Sequence, residues 1–483
     1  MNTSELRGKA FSSIIWKMLE RIGAQLVSLV VSITIARLLD PSDYGVVSLV
    51  TIFFSFANVI ISNGFNTALI QKKEADKKDY STVFTITLVF SVIIYIVLFL
   101  LAPSIAILYN QPLLSPIIRV MGITIIINGV KSVVCAYVSS TLQFKKFFYA
   151  TLGGTIGSGI VGITMAYKGF GAWALVSQQM INAFIDTVIL IIVTHYRFSF
   201  YFSFSRAKAL FNYGWKILVS ALINTTYNQI RPLFIGIKFT AADLSFYSKG
   251  ESFPQLITST TTDTLSAVLF PVMAKIQDDK ELLLKYTRLF IKVASFLVFP
   301  LMLGLFAVAD NMICVLLGDK WLSSSFYVKI FAISGMFSMI NTGNCETIKA
   351  MGKSDVFLVM EIIKKASYFA IVGFFILFSN SPELLAASSL LCTIVAIIVN
   401  TVPNRKLLNY TYLKQITDIL PNLVTSVIMC IAVYCIGKII SNQLLALSIQ
   451  IIVGVFIYIT LNVLIKNENI ISIYNMIKDY RGK

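Results

Sequence analysis

Residues 16–45 read WKMLERIGAQLVSLVVSITIARLLDPSDYG, and the reading of this stretch decides the fold. It is long and apolar enough to cross a bilayer, yet it carries Lys17, Glu20, Arg21 and Gln25 near its start. An ionised side chain at mid-membrane costs on the order of 2.5–3.5 kcal/mol even on a lenient scale, so such a cluster needs a partner, water or a ligand. The stretch closes on Arg37-Leu38-Leu39-Asp40-Pro41-Ser42-Asp43-Tyr44-Gly45, whose residue types make a tight loop between two helices. About two hundred residues later the same design starts again at Trp215-Lys216.

The composition around this stretch agrees. Of 483 residues, 57% are hydrophobic and 13% charged, with a mean hydropathy of +0.81. A soluble domain has no way to hide that much apolar sequence, so the chain is a polytopic membrane protein. The formal charge of +17 would point to nucleic acid in a soluble protein. Here it belongs to cytoplasmic loops, where Lys and Arg concentrate, and no nucleic-acid partner is expected. The first apolar run carries Glu20 and Arg21 and lacks a small-residue cleavage site, so a removed secretory peptide is not expected.

Chemistry at a protein site finds little support. The six cysteines (Cys135, Cys314, Cys345, Cys392, Cys430, Cys435) all fall in apolar segments without a C-x-x-C pair, and read as small packing residues. His195 is the only histidine, which excludes a His-cluster metal site. Gly352-Lys353-Ser354 has Thr347 where a phosphate loop needs its first glycine. No paired carboxylates and no nucleophile elbow occur. The expectation is a protein that is not an enzyme and takes no cofactor and no metal.

Apolar spans of about twenty residues fall near 14–38, 44–69, 81–108, 116–141, 147–167, 171–194, 211–238, 243–270, 290–317, 326–350, 355–379, 383–403, 419–440 and 444–465. The fold class is therefore all-α, with about fourteen transmembrane helices. Spans two, four, eight and ten are the least apolar. Basic residues crowd alternate loops: Lys72-Lys73 with Lys77-Lys78, Lys145-Lys146, Arg197 with Arg206 and Lys208, Lys275 to Arg288, Lys353, and Arg405-Lys406. The bias puts both termini in the cytoplasm of the cell that makes the protein. Residues 195–210 alternate Phe or Tyr with polar residues, as a linker lying at the interface would, and 275–292 has the spacing of an amphipathic surface helix.

An internal repeat organises the spans. At an offset of 199, Trp16-Lys17 falls on Trp215-Lys216 and Gln25 on Asn224; at 200, Asp43 falls on Asp243 and Asn66 on Ser266; at 210, Arg119 meets Lys329 and Cys135 meets Cys345. Polar positions matching polar positions inside apolar spans define two parallel six-helix lobes related by an axis along the membrane normal. The expected organisation is an N-terminal six-helix lobe at 1–195, a cytoplasmic linker at 196–210, a C-terminal six-helix lobe at 211–405, and an additional helix pair with a cytoplasmic tail at 406–483.

The polar side chains within the spans are patterned. Lys17, Arg21, Gln25, Ser28 and Ser32 share one helix face, and Lys216, Ser220, Asn224, Asn228 and Arg231 repeat it. Arg231 precedes Pro232, where a kink is expected. Lys249 and Ser252 in span eight, and Asn128 and Lys131 in span four, extend the set. Lys364 and Lys365 have Glu361 one turn away and pair with it. Lys131, Lys216 and Arg231 have no acid one turn away, and either line a hydrated cavity or pair across helices. Gly153-Gly154-x-x-Gly157-Ser158-Gly159 gives a small-residue face for helix packing. Asp186, Asp263, Asp310 and Glu346 are acids able to carry protons, and Asp263 and Glu346 are the two considered for coupling.

The segment from Trp16 through Ala36-Arg37-Leu38-Leu39-Asp40-Pro41-Ser42-Asp43-Tyr44-Gly45 resembles the start of bacterial polysaccharide exporters of the Wzx and teichuronic-acid type, in the multidrug/oligosaccharidyl-lipid/polysaccharide superfamily. The resemblance extends over spans one to twelve and is clearest in the first two. It implies a flippase that carries undecaprenyl-pyrophosphate-linked oligosaccharide from the cytoplasmic to the periplasmic leaflet by alternating access, with two lobes around a cationic cavity in the bacterial inner membrane. Its partners would be the lipid-linked oligosaccharide, membrane lipids, and a polysaccharide polymerase and glycosyltransferases. On this reading Lys17, Arg21, Lys131, Lys216, Arg231 and Lys249 suit the diphosphate, with Arg231 and Lys131 in contact with it, and Gln25, Asn128, Asn224, Asn228 and Ser252 suit the sugars. The alternatives are a multidrug or metabolite antiporter of the same superfamily, whose cavity should be acidic, and a structural membrane protein.

Overall fold

The computed structural model describes Trp16, residues 23–72 and residues 74–467, the side chains of 263, 267 and 268 excepted. Lys17 and Arg21 lie outside the described residues, as does the side chain of Asp263. Among the described residues all regular structure is helical. Seventeen helices among the described residues form fourteen segments, which agree with the fourteen apolar spans. Among the described residues nine segments are long and apolar enough to cross a membrane by length and composition, so this is a multi-pass membrane protein. Spatially the chain divides into two compact units, Met1–Ser245 and Phe246–Lys483.

The first unit contains α1 (Gly23–Leu38), α2 (Pro41–Ser62), α3 (Phe65–Gln71), α4 (Lys77–Leu108), α5 (Leu114–Met121), α6 (Ile123–Ser140), α7 (Lys145–Tyr167), α8 (Ala172–Thr194) and α9 (Phe204–Lys238). Pro41 opens α2 at its first position, where a missing N–H costs nothing. Gly45, which ends the Arg-Leu-Leu-Asp-Pro-Ser-Asp-Tyr-Gly motif, is required by close approach: a Cβ there would lie 1.8 Å from the Ala241 carbonyl oxygen. Span two is broken at Asn63-Gly64, where Gly64 takes a positive φ of 78°. There the backbone of α9 crosses so closely that a Cβ on Gly214 would lie 2.6 Å from the Gly64 carbonyl carbon.

The α7 glycines form a packing face. A Cβ on Gly153 would meet Ile189 at 2.4 Å, one on Gly154 would meet Asp186 Cβ at 2.9 Å, and one on Gly157 would meet Ile185 at 2.6 Å. The small-residue spacing thus lets α7 and α8 close to backbone contact. The 195–206 segment is an ordered strap. Phe198 and Phe200 pack on Phe84 of α4, with ring centroids at 4.8 and 5.5 Å, and Tyr196 packs on Tyr137 of α6 at 5.5 Å. Burial pushes the Tyr196 phenol up to about 12. Arg206 fixes the end of the strap by donating to Asp76 at 2.5 Å and Asp79 at 2.8 Å; Lys72 reaches the same fully buried Asp79 at 2.6 Å.

The second unit holds most of α10 (Ala241–Lys275), then α11 (Lys280–Leu316), α12 (Ser324–Met336), α13 (Ser338–Ala350), α14 (Ser354–Phe378), α15 (Pro382–Leu408), α16 (Tyr412–Ile439) and α17 (Gln443–Leu464). The expected surface helix before span nine is not separate. Asp279 caps α11 by accepting from the Glu281 and Leu282 amides, and 37 residues then run unbroken. At 1.5 Å per residue this helix is about 55 Å long, more than a hydrocarbon core of about 30 Å accommodates, so its basic first turns project beyond the membrane.

Helices α16 and α17 are built into this unit by buried polar ties. Arg288 of α11 grips Asp418 of α16 with two hydrogen bonds of 2.7 Å, and Tyr410 adds a third at 2.9 Å. Asn344, Asn404, Thr401 and Gln415 form a buried amide cluster between α13, α15 and α16. Asn422 donates to Ser295 at 2.8 Å and accepts from Asn467 at 2.9 Å. An amide cut off from water is costly unless paired, so each tie fixes one packing of the helix pair.

Candidate functional site

In the first unit, the inner faces of α2, α3, α6 and α8 enclose a polar trough. Its larger part is a cavity of about 350 Å³ lined by Asn58, Ser62, Asn66, Thr67, Asn128, Lys131 and Ser132 among others. A smaller part of about 140 Å³ is lined by Thr51, Ser55, Asn58, Thr124, Asn128 and Gln179. Asn58 and Asn128 line both, and Asn128 Nδ2 donates to Asn58 Oδ1 at 3.0 Å where the parts meet. The α2 residues step by three or four and so share one helix face. The break at Gly64 carries the lining on through α3. Gln229 of α9 donates to Ser55 at 3.5 Å, which closes one side.

Among the described residues, Lys131 is the one ionised side chain lining either part. Its Nζ donates to Asp186 Oδ2 of α8 in a short ion pair. Both alternatives read from the sequence are therefore realised together: Lys131 lines the cavity and pairs across helices. The other oxygen, Asp186 Oδ1, is buried without a hydrogen-bond partner, and so is Asn66 Oδ1. Asp186 reaches Lys131 because α7 has only glycine at 154, where a side chain would strike the Asp186 β-carbon. In sequence Asp186 is one acid among several, and 55 residues of separation give no pairing signal.

The remaining candidates are distributed along other helices. Gln25 is half-buried on α1, Lys216, Asn224 and Asn228 are exposed on α9, and Arg231 is buried there. Helix α9 continues unbroken through Pro232. In the second unit, Lys249 is half-buried and Ser252 is exposed, with its hydroxyl donating to the Lys249 carbonyl at 2.8 Å. Glu346 accepts from Lys349 at 3.1 Å, one helical turn away. Glu361 likewise pairs with Lys364. The trough gathers Asn128 and Lys131 alone from the sequence-derived set. It adds Ser55, Asn58 and Asn66, which lie on the polar stripe of span two, and Gln179 of α8, for which the sequence held no signal.

A family model described as "Polysaccharide biosynthesis protein" matches residues 34–326, more than half of the chain. The chain belongs to the polysaccharide biosynthesis protein family. Within it, the chain is similar to the succinoglycan biosynthesis transport protein ExoT of Rhizobium meliloti (strain 1021), 24% identical over 63% of this chain and 62% of that one. It is also similar to the lipopolysaccharide biosynthesis protein WzxC of Escherichia coli (strain K12), 21% identical over 74% and 73%, and to the teichuronic acid biosynthesis protein TuaB of Bacillus subtilis (strain 168), 22% identical over 62% and 63%. The chain thus spans under two thirds of the ExoT and TuaB lengths. Its fold is similar to that of the lipid II flippase MurJ in an inward closed conformation, with a TM-score of 0.76 and 15% identity over 95% of this chain and all of that one. A multidrug resistance MATE family transporter of the MOP superfamily, inward-facing, gives 0.61 and 12% identity over 82% of this chain and 98% of that one. This family member therefore has the helical fold seen in both.

Proposed function

We propose that the chain is an exporter that moves an undecaprenyl-pyrophosphate-linked oligosaccharide repeat unit from the cytoplasmic to the periplasmic leaflet by alternating access. The observation that carries this reading is the hydroxyl- and amide-lined trough inside membrane-spanning helices of a polysaccharide biosynthesis family member. A glycan needs such donors and acceptors, and hydrocarbon offers none. The pyrophosphate is assigned to the cations of α9, Arg231 with Lys216, and to Lys17 and Arg21. The polyprenyl tail remains in lipid. The membrane potential favours outward movement of an anion by about 2.3 kcal/mol per charge per 100 mV, a direction that suits export.

The basic loops support cytoplasmic termini, and the lipid-linked cargo of this reading belongs to the bacterial inner membrane. Recurrence of helix ends supports two repeated sets of six spans: Leu114–Ser140 is matched by Ser324–Ala350, and Pro41–Gln71 by Ala241–Lys275. Removing the gene from its host tests the function. Lipid-linked repeat units should build up facing the cytoplasm, and the wild-type chain should clear them. Normal surface glycan with no accumulated intermediate would refute export.

A further inference from the structure

We infer that the trough of the first unit reads the neutral sugars of the cargo and takes no part in holding its pyrophosphate. This rests on the export reading and narrows it.

A pyrophosphate needs cations whose charge is not already spent. Among the described residues the trough offers one cation, Lys131, and Asp186 neutralises it from the neighbouring helix. Among the described residues that line the smaller part, none is ionised. An anion moved there from water would give up its hydration without gaining a net positive partner.

The hydrogen-bonding inventory points to hydroxyl-rich ligands. Asn58 and Asn128 each use one polar atom on the other, and an amide has both donors and an acceptor to give. The Asn66 side chain is only 6% exposed, yet its Oδ1 has no protein donor. A buried acceptor left without a donor costs about as much as a lost hydrogen bond, so this atom marks where a ligand O–H or N–H belongs. Asn66 lines the cavity from α3, just past the Gly64 break. Hydroxyls from Thr51, Ser55, Ser62 and Thr124 continue the polar wall past the Asn58–Asn128 bridge. Groups that both donate and accept along a wall match the sugar hydroxyl and the N-acetyl amide.

Binding to the full-length protein in lipid nanodiscs tests the inference with two probes: farnesyl pyrophosphate, and the same pyrophosphate carrying one N-acetylglucosamine. The wild type should bind the glycosylated probe more tightly. Changing Asn58→Ala and Asn128→Ala together removes both partners of one hydrogen bond, so neither is left unsatisfied and folding is preserved. This pair should weaken the glycosylated probe about tenfold, the worth of one or two neutral hydrogen bonds, and leave the bare probe within about twofold. A second pair, Lys131→Met with Asp186→Leu, removes an ion pair of zero net charge and should also leave the bare probe within about twofold.

Equal weakening of both probes by the asparagine pair would overturn the inference, as would no weakening of either. Loss of bare-probe binding by tenfold or more in the second pair would make Lys131 a pyrophosphate ligand, with the same consequence. Each of those results leaves export standing, because the wild type still binds. A wild type that binds neither probe would instead overturn the export reading, and the inference with it.

Discussion

Substituting Gly45 by alanine tests whether the family motif acts through packing. An ideal Cβ at this position lies 1.8 Å from the Ala241 carbonyl oxygen, 2.3 Å from its carbon and 2.9 Å from its Cα. All three atoms are backbone, so no rotamer change gives relief. Restoring an ordinary contact requires the start of α2 and the start of α10 to part by about 1–2 Å, and a gap of even 0.5–1 Å forfeits a quarter to a half of each dispersion contact across it. The side chains that follow are fully packed: Val46, Val47, Leu49 and Val50 are each at most 4% exposed. Overpacking of a core costs about 1–3 kcal/mol, and a clash confined to backbone belongs at the upper end, near 3 kcal/mol. For a unit of this size that is a fall in melting midpoint on the order of 5–10 °C. Gly373→Ala is the control, since nothing lies within 4 Å of a Cβ there; in mid-helix it should be neutral or raise the midpoint slightly. The assay is thermal unfolding of detergent-purified protein followed by loss of the monodisperse peak. Equal midpoints for Gly45→Ala and wild type, or an equal loss in Gly373→Ala, would refute the packing account of the motif.

Asp186→Asn should destabilise the first unit by about 2 kcal/mol, less than the 3–5 kcal/mol of a fully buried pair because Lys131 is 25% exposed to the cavity; a double-mutant cycle with Lys131→Met should return most of that loss, and additive losses would show that the pair is not coupled. Arg206→Ala leaves the buried Asp79 with Lys72 as its one remaining cation among the described residues, and the strap should loosen, read as faster tryptic cleavage at Arg197; an unchanged cleavage rate would separate the strap from the ion cluster. The backbone amide of Asp79, followed by Arg206, holds the Asp76 carboxyl below its usual value. The stabilisation from Asp76 is therefore complete above about pH 4 and lost as pH falls through the depressed folded value; the gap in melting midpoint between wild type and Asp76→Asn should be full at pH 6 and narrow progressively as pH falls below about 4, and a gap that does not change with acid would exclude the carboxylate as its source.

The number and placement of the spans were legible because burial in a bilayer writes itself as an apolar run of fixed length, and each of fourteen runs became a helical segment. The breaks were not. Spans two, four and ten stood out as weakly apolar, but nothing in sequence placed interruptions at Asn63-Gly64, Gly122 and Phe337. Cation pairing was legible only within a helix turn, as for Lys364 with Glu361. Lys131 with Asp186 depends on how far α7 lets α8 approach, a property of Gly154 that periodicity does not express. The aromatic residues of the linker were legible in sequence, while its anchoring through Arg206 required two acids 127 and 130 residues away.

The two broken spans of the first unit bear on why the trough is polar at all. Breaking a helix within a membrane frees backbone carbonyls and amides that lipid has no means to satisfy, so such breaks persist only where protein or water supplies partners. The Gly64 break lies beside Ser62, Asn66 and Thr67, and the Gly122 break beside Thr124, whose hydroxyl donates to the Met121 carbonyl at 2.6 Å. Both breaks thus open onto the trough rather than away from it. The Thr124 hydroxyl thus both completes the interrupted backbone and lines the trough. The glycine breaks are therefore part of the site, and filling Gly64 with a β-branched residue should abolish the trough before it abolishes insertion into the membrane.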